Sequence, residues 1–257
     1  MKVLNDHMNK KTLVVICNHN LKDSAENLYL QLKPYEKDHY DTIILDNGSD
    51  SDKKSKLSAI TLPENTFFSG GLQYSIQLVL SNRDKYDSLL FMISSLSLSG
   101  FNWVNAMRSV LFSSNDIGIV SPTIISAGSD QNAWPQMRSW SMPTPRKVKW
   151  IDFQSPLFNI EFLEKIKEFP DFGIAYGYDI YGGIACDNLG YKIYALDYVY
   201  ANHVKKATIR SGNHKMNLRQ YGKVSLEGMY KGFENIGLVH KLNEYRNWAS
   251  NYTPIEL

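Results

Sequence analysis

The chain has 257 residues and a mass of 29.4 kDa, which corresponds to one large domain or two closely merged ones. Hydrophobic residues make up 43% of the sequence and aromatic residues 12%, so it can bury a sizeable core and an intrinsically disordered protein is excluded. The formal net charge of only +2 argues against a protein that binds nucleic acid over its whole surface.

Hydropathy and cysteine content indicate the compartment. No stretch approaches the roughly 18 consecutive apolar residues of a membrane-spanning helix, and residues 1–11 are polar, so neither a transmembrane helix nor a secretory signal is predicted. The two cysteines, Cys17 and Cys186, are too few for a disulfide framework. We therefore expect a cytoplasmic protein in which both thiols are buried apolar groups.

The charge is unevenly distributed along the chain. Residues 205–257 contain nine Lys or Arg against four Glu, which leaves 19 basic and 22 acidic residues upstream. This basic end either meets a phosphate-bearing ligand or an anionic membrane surface, or forms an ordinary solvated helix face.

Strand and helix patterns alternate in the first half of the chain. Short β-branched and aliphatic runs predict buried strands at 12–17, 42–45, 59–62, 88–93 and 117–121. Amphipathic stretches predict helices from Asp23 or Ser24 toward Pro34, from Ser69 to Leu80, and over 102–112. This alternation predicts a mostly parallel sheet with helices on both faces.

The second half is less regular. Residues 122–147, with four prolines and Trp134 and Trp140, predict a long loop over the sheet, of the kind that often serves as a lid. Further elements follow, as strands at 148–153, 191–196 and 199–201 and as helices at 159–168, 179–189 and 236–248. Asn159 is the expected cap of the first of these helices, and Gly190 the expected stop of the second.

Polar segments follow three of the predicted strands, where open parallel sheets bind ligands. They are Asn18-His19-Asn20, Asp46-Asn47-Gly48-Ser49 and Ser94-Ser95-Leu96-Ser97. No glycine-rich phosphate fingerprint follows the first strand, which disfavours a nicotinamide oxidoreductase. The absence of GxxxxGK[ST], HExxH and GxSxG strings removes several hydrolase classes.

Four segments of the sequence occur in the order and spacing of family-two-like GT-A glycosyltransferases. They are VVICNHN (14–20), IILDNGSDSD (43–52), NTFFSGGLQYSI (65–76) and GYDIYGGIACDNLGYKIY (177–194). The chain resembles that family from about residue 11 to residue 203. The resemblance implies a Rossmann-type, mostly parallel α/β sheet flanked by helices. It divides the chain into a GT-A-like domain at 11–204 and a basic, partly helical C-terminal extension at 205–257.

The resemblance also implies a function in carbohydrate biosynthesis. The resemblance implies transfer of a sugar from a nucleoside diphosphate, with uridine diphosphate (UDP) as the expected nucleotide, to a saccharide or other hydroxyl acceptor, with inversion. The alternative is a nucleotide-sugar-binding protein of the same fold that lacks transferase activity.

The family motifs imply roles for individual residues. Asp179, at the head of a predicted helix, corresponds to the base that takes the acceptor proton. The residues that match nucleotide-binding positions are Asn18, His19, Asn20, Asp46, Gly70, Gly71 and Ser95. Those at donor or acceptor positions are Asp152, Gln154, Tyr178 and Trp134.

One position departs from the family pattern. Family members carry an acidic D-x-D or N-x-D after the fourth strand, whose carboxylate holds a divalent cation, Mn²⁺ or Mg²⁺, on the diphosphate. Ser95 stands at the expected acid, with no Asp or Glu nearby. His203 matches a C-terminal metal or phosphate ligand. Three alternatives follow for the missing acid. The chain neutralises the diphosphate charge in another way, for which Lys205, Lys206 and Arg210 are the candidates, or it binds the metal weakly, or it has lost activity.

Overall fold

The computed structural model describes residues 10–36, 39–99, 102–126, 134–203 and 216–254. Within these ranges it contains nine β-strands and seven α-helices. None of the helices in these ranges combines the length and apolar character that crossing a bilayer requires.

The strands and helices follow one another in this order. The strands are β1 (Lys11–Asn18), β2 (Tyr40–Asn47), β3 (Ser58–Leu62), β4 (Tyr86–Ile93), β5 (Leu96–Ser99), β6 (Ile117–Ser126), β7 (Arg146–Val148), β8 (Leu157–Asn159) and β9 (Lys192–His203). The helices are α1 (Lys22–Leu32), α2 (Phe67–Leu80), α3 (Trp103–Leu111), α4 (Ile160–Ile166), α5 (Tyr178–Leu189), α6 (Leu218–Asn235) and α7 (Val239–Ser250). Two 3₁₀ turns cover Lys33–Tyr35 and Pro135–Met137.

The nine strands form one sheet in the spatial order β3-β2-β1-β4-β8-β6-β9-β5, with β7 paired to β9. The longer strands pair in parallel: β1 with β2 and β4, β2 with β3, and β6 with β9. The short strands β5, β7 and β8 pair antiparallel to their neighbours. The predicted α/β fold, a mostly parallel sheet flanked by helices, is therefore confirmed.

Strand β1 lies inside the parallel half because it is apolar on both faces. Its residues 13–16 are at most 2% exposed, as expected for a strand covered by helices on both sides. Cys17 lies level with Leu45 of β2 and Ile93 of β4. The loops that follow these three strands consequently meet at one edge of the sheet, which we call the carboxyl rim.

Two predicted helix ends are confirmed by their local contacts. The Asn159 side chain accepts a hydrogen bond from the backbone N–H of Glu161 at 2.9 Å and so caps α4. Gly190 ends α5 with a φ of +75°, a conformation that glycine adopts without strain. In helix α1, Leu30 is 59% exposed because it lies two residues from the buried Leu28 and Leu32, off their face.

The second half differs from the sequence prediction in several elements. The sequence predicts a strand at 148–153, but residues 149–156 are irregular and separate β7 from β8. The two strands expected at 191–196 and 199–201 are one strand, β9, whose register against β6 shifts after Pro122. The sequence pattern does not predict β5 or α6, because β5 has only four residues and the apolar residues of α6 lie on several faces.

The C-terminal extension packs on the sheet domain over its described part. Phe233 of α6 is fully buried, with its ring 4.6 Å from that of Phe172. Trp150 donates its indole N–H to the carbonyl of Tyr245 in α7 at 3.1 Å. These contacts join α6 and α7 to the main hydrophobic core.

A buried ion pair holds the long loop that precedes β7 against β9. Arg146 and Asp197 lie 2.7 Å apart, and the Asp197 carboxylate also accepts the backbone N–H groups of Trp140 and Met142. Burial alone would raise the pKa of Asp197, but Arg146 and these two donors hold it below its ordinary value. The pair therefore holds residues 140–146 against β9.

Candidate functional site

Buried polar side chains join the loops that follow β1 and β2. The Asp46 carboxylate accepts hydrogen bonds from Asn18 Nδ2 at 3.1 Å and from the backbone N–H of Ser49 at 2.9 Å. Asp46 and Asn18 are both 0% exposed. A charged acceptor strengthens such bonds, so the two side chains fix the shape of this part of the rim. In the structure, Asn18 and Asp46 hold the loops after β1 and β2 together. Their contact with a nucleotide remains a prediction.

The other two polar residues after β1 differ in exposure. Asn20 is buried, and its backbone N–H donates to Ser49 Oγ at 2.8 Å. His19 is half-buried, with Nδ1 3.1 Å from the Asn47 carbonyl and Nε2 3.1 Å from the Asn65 side-chain amide. Because a carbonyl only accepts, Nδ1 carries the proton and Nε2 accepts from Asn65. Of the three predicted side chains in this loop, His19 is the one with a surface on which a base can stack.

The glycine pair lies in the first turn of α2, which begins at Phe67 rather than at Ser69. A Cβ atom on Gly71 would lie 2.6 Å from Cys17 Sγ, and one on Gly70 would lie 2.3 Å from Thr66 Oγ1. The Gly70 N–H already donates to the Thr66 carbonyl at 3.0 Å. Close approach at these glycines thus serves protein packing, and the predicted approach of a phosphate remains a prediction.

Two carboxylates, Asp152 and Asp179, form an acidic pair at the rim. Asp179 is part-exposed in the first turn of α5, directly after the turn at Gly177 and Tyr178. Burial of its carboxylate, followed by repulsion from Asp152, raises the pKa of Asp179 to about 7. Asp152 accepts a hydrogen bond from Gln154 Nε2 at 2.6 Å. The structure therefore brings together three of the residues predicted to act on donor or acceptor.

The segment that carries Asp152 lies against the end of β4. The Ile93 N–H donates to the Gln154 carbonyl at 3.1 Å, and the next N–H, of Ser94, donates to the Cys17 carbonyl at 3.0 Å. The end of β4 thus lies between the acidic-pair segment and the end of β1. Within the described chain, Gln154 Oε1 and the buried Ser155 Oγ have no hydrogen-bond partner.

Two residues predicted to contact the donor or acceptor, Tyr178 and Trp134, pack against other protein groups, and their contact with a ligand stays a prediction. The Tyr178 side chain is 5% exposed, and its hydroxyl donates to the Gly173 carbonyl at 2.8 Å and accepts from the Phe172 N–H at 3.3 Å. Trp134 packs edge-on against Trp150, with ring centres 5.2 Å apart. Both side chains are thus in contact with other groups of the protein.

Three residues near the acidic pair are absent from the sequence-based site. Tyr176 is 42% exposed, and burial of its hydroxyl with the charges of Asp152 and Asp179 raises its pKa. Burial and the neighbouring Tyr176 raise the pKa of Tyr221 to about 12. Met137 Sδ accepts the Asp152 N–H at 3.4 Å. Tyr221 belongs to α6 and Met137 to the long loop, so only the tertiary fold reveals them.

Ser95 and His203 both lie near the pairing of β5 with β9, beyond the end of β4. Leu96, which follows Ser95, lies opposite His203 in the antiparallel pair of β5 and β9. Ser95 also lines a cavity of about 430 Å³ between α1 and β5, together with Ser24, Asn27, Gln31 and Ser97. The cations expected to follow, Lys205, Lys206 and Arg210, lie outside the described residues.

The donor atoms at this position do not fit a divalent cation. Hard cations such as Mg²⁺ prefer carboxylate oxygens, whereas residues 94–97 offer hydroxyl groups. In the described ranges no three His, Cys, Asp or Glu side chains converge as a metal-binding group would.

No family model and no curated protein matches the sequence. The structure, however, is similar to that of glucosyl-3-phosphoglycerate synthase from Mycobacterium tuberculosis in complex with Mg²⁺ and UDP. That match has a TM-score of 0.61 at 16% identity and covers 92% of this chain and 83% of the synthase. The chain has the GT-A fold.

Two further solved structures share this fold. GalNAc-T7 with UDP, GalNAc and Mn²⁺ gives a TM-score of 0.66 at 13% identity, covering 87% of this chain and 48% of that one. The mannosyltransferase from Pyrobaculum calidifontis with GDP-mannose and Mn²⁺ gives 0.53 at 12% identity, covering 95% and 76%. This GT-A chain therefore spans about half of GalNAc-T7. The three neighbours are glycosyltransferases with nucleotide or nucleotide-sugar ligands.

Proposed function

We propose that this protein is a glycosyltransferase that moves a sugar from a nucleoside diphosphate to a saccharide or other hydroxyl acceptor, with inversion. UDP is the first candidate for the nucleotide, and GDP the second. The observation that carries the proposal is a carboxylate at the head of α5, Asp179, with a pKa of about 7 at the carboxyl rim of a GT-A fold. A base with a pKa near the working pH is well suited to proton transfer.

The proposed chemistry assigns the proton to Asp179. The acceptor hydroxyl oxygen attacks the anomeric carbon of the donor sugar while Asp179 takes the hydroxyl proton. The bond between that carbon and the diphosphate oxygen breaks, and its electron pair leaves with the nucleoside diphosphate. Attack opposite the leaving group inverts the configuration. Asp152 and Gln154 lie beside Asp179 and are proposed to position the donor or acceptor.

The test is transfer from a panel of UDP- and GDP-sugars, read by release of nucleotide and formation of product. Asp179→Asn should lower kcat by about 10²- to 10⁴-fold, because the amide cannot accept the proton. Nucleotide affinity should stay within about threefold, since the amide keeps the shape of the carboxylate.

The matched control is Asp171→Asn, an exposed acid in the segment before α5. Asp171 Oδ1 accepts the Gly173 N–H at 2.8 Å, which an amide oxygen can also do, so turnover should be unchanged. Full transfer activity in Asp179→Asn would refute the assignment of the base.

A second candidate function is nucleotide-sugar binding without transfer. It is favoured by Ser95, which stands where the family has its cation-holding acid. Nucleotide binding without transfer or donor hydrolysis in the same panel would support it.

We further propose a cytoplasmic protein whose basic extension contacts a membrane surface peripherally. Its support is that Leu226 and Tyr230 of α6 are 42% and 41% exposed, beside the exposed Lys223. Sedimentation with anionic but not with neutral vesicles is the corresponding measurement.

A further inference from the structure

A diphosphate carries negative charge that a binding site must balance. A divalent cation can do so only where the protein contributes oxygen ligands of its own, usually one or two carboxylates beside the phosphates. The solved neighbours were obtained with such cations, Mn²⁺ in GalNAc-T7 and the mannosyltransferase, and Mg²⁺ in the synthase. The positions of the carboxylates on this rim therefore decide whether the same arrangement is available.

The carboxylates named on the described rim already have hydrogen-bond or ion-pair partners in the protein. Asp179 accepts the Ile180 N–H at 2.8 Å. Asp46 is fully buried and accepts hydrogen bonds from Asn18 and Ser49. Asp50 pairs with Lys53 at 3.1 Å, and Asp152 accepts from Gln154 at 2.6 Å. At the end of β4 itself, the side chains are hydroxyls and a leucine.

The groups at the end of β4 are instead hydrogen-bond donors. Ser95 precedes β5, whose first residue, Leu96, is paired with His203 at the end of β9. Serine hydroxyl and imidazole N–H groups can donate to phosphate oxygens without any metal.

We propose that this chain binds its nucleotide diphosphate without a divalent cation, and that Ser95 is the residue that removes the requirement. This inference rests on the proposed function and specifies the chemistry of the same site. Its direct corollary is that a carboxylate at position 95 installs a cation dependence that the natural chain lacks.

The experiment measures the affinity of the full chain for UDP and for GDP by calorimetry, with Mn²⁺ and with a chelator. For the natural chain the Kd should agree within about twofold in the two conditions. For Ser95→Asp, added Mn²⁺ should tighten binding by about tenfold or more relative to the chelator. Ser95→Asn, which has the same shape but no charge, should show no such gain.

The outcomes separate the two proposals. If the natural chain binds nucleotide only when Mn²⁺ is present, the cation-free inference is overturned and the proposed function stands. If neither nucleotide binds in either condition, the proposed function fails and the inference fails with it. If Mn²⁺ does not tighten nucleotide binding by Ser95→Asp, although the melting curve of this variant shows that it is folded, Ser95 is not the deciding position. That result also overturns the inference.

Discussion

Asp179 shows how burial and a neighbouring carboxylate together can shift the pKa of a side chain. Its pKa of about 7 arises first from burial and then from the charge of Asp152. As the proposed base it must be ionised, so kcat/KM should rise with pH through about 7 and level off above it. Because the two carboxylates interact, the value measured belongs to the pair.

Asp152→Asn tests this dependence. Removing the like charge lowers the pKa of Asp179, so the acid limb of the kcat/KM profile should move to lower pH. The profile measured between pH 5 and 9 checks it, and an unmoved acid limb would show that Asp152 does not act on the base.

The same shift affects stability, with a definite sign. The folded pKa of Asp179 lies above the ordinary carboxyl value of 3.8, so the unfolded chain loses this proton first as pH rises. The contribution of Asp179 to the free energy of unfolding therefore falls between about pH 4 and pH 7. Asp179→Asn should remove this pH-dependent loss, as chemical denaturation at pH 5 and pH 8 would show.

At the scale of single residues, the sequence was informative where a side chain follows a strand or heads a helix. Asp179 heads a predicted helix, whereas the role of Asp152 follows only from the family resemblance, and the structure brings the two together. Asp46 and Asn18 follow their strands as well, but a sequence does not show that they bond to each other and lose their exposure. Tyr221 has no local signal, because it reaches Tyr176 only through the packing of α6.

At the scale of elements, glycines show which helices are tightly packed. Gly71→Ala should destabilise the protein by about 1–3 kcal/mol, because the new methyl would lie 2.6 Å from Cys17 Sγ and force α2 away from β1. Gly222→Ala is the matched change in α6, where nothing lies within 4 Å of the added atom. It should stabilise by up to about 1 kcal/mol through helix propensity. Urea denaturation of both variants checks the contrast, and equal effects would contradict it.

The prediction of strands from the sequence succeeded where a strand is buried on both faces. It failed where apolar residues are buried by contacts other than strand pairing. The central residues of β1, β2 and β4 are continuous apolar runs, and such runs predict strands that are buried on both faces. Residues 149–156 are also apolar in part, yet they form irregular chain, because Trp150 and Phe153 are buried by α5 and α7 rather than by strand pairing. An apolar sequence pattern predicts that a residue is buried, but it does not show which element of the fold buries it.

At the scale of the whole molecule, the division between the domain at 11–204 and the extension at 205–257 remains a sequence prediction, yet the two share a core. Phe233→Ala removes a fully buried ring that stacks on Phe172 and should lower the free energy of unfolding by about 3–5 kcal/mol. Because the core is continuous, thermal unfolding should remain one transition.

The control for this variant is Leu226→Ala, also on α6 but 42% exposed, which should change stability by less than about 0.5 kcal/mol. A separate low-temperature transition in Phe233→Ala, with the main melt unchanged, would mean that the extension unfolds on its own.

The Arg146–Asp197 ion pair has a consequence for turnover. Separating it would leave a buried carboxylate without its counter-charge, so residues 140–146 should stay seated throughout a reaction cycle. If the protein transfers sugars as proposed, any movement that releases nucleotide must therefore lie outside residues 140–146.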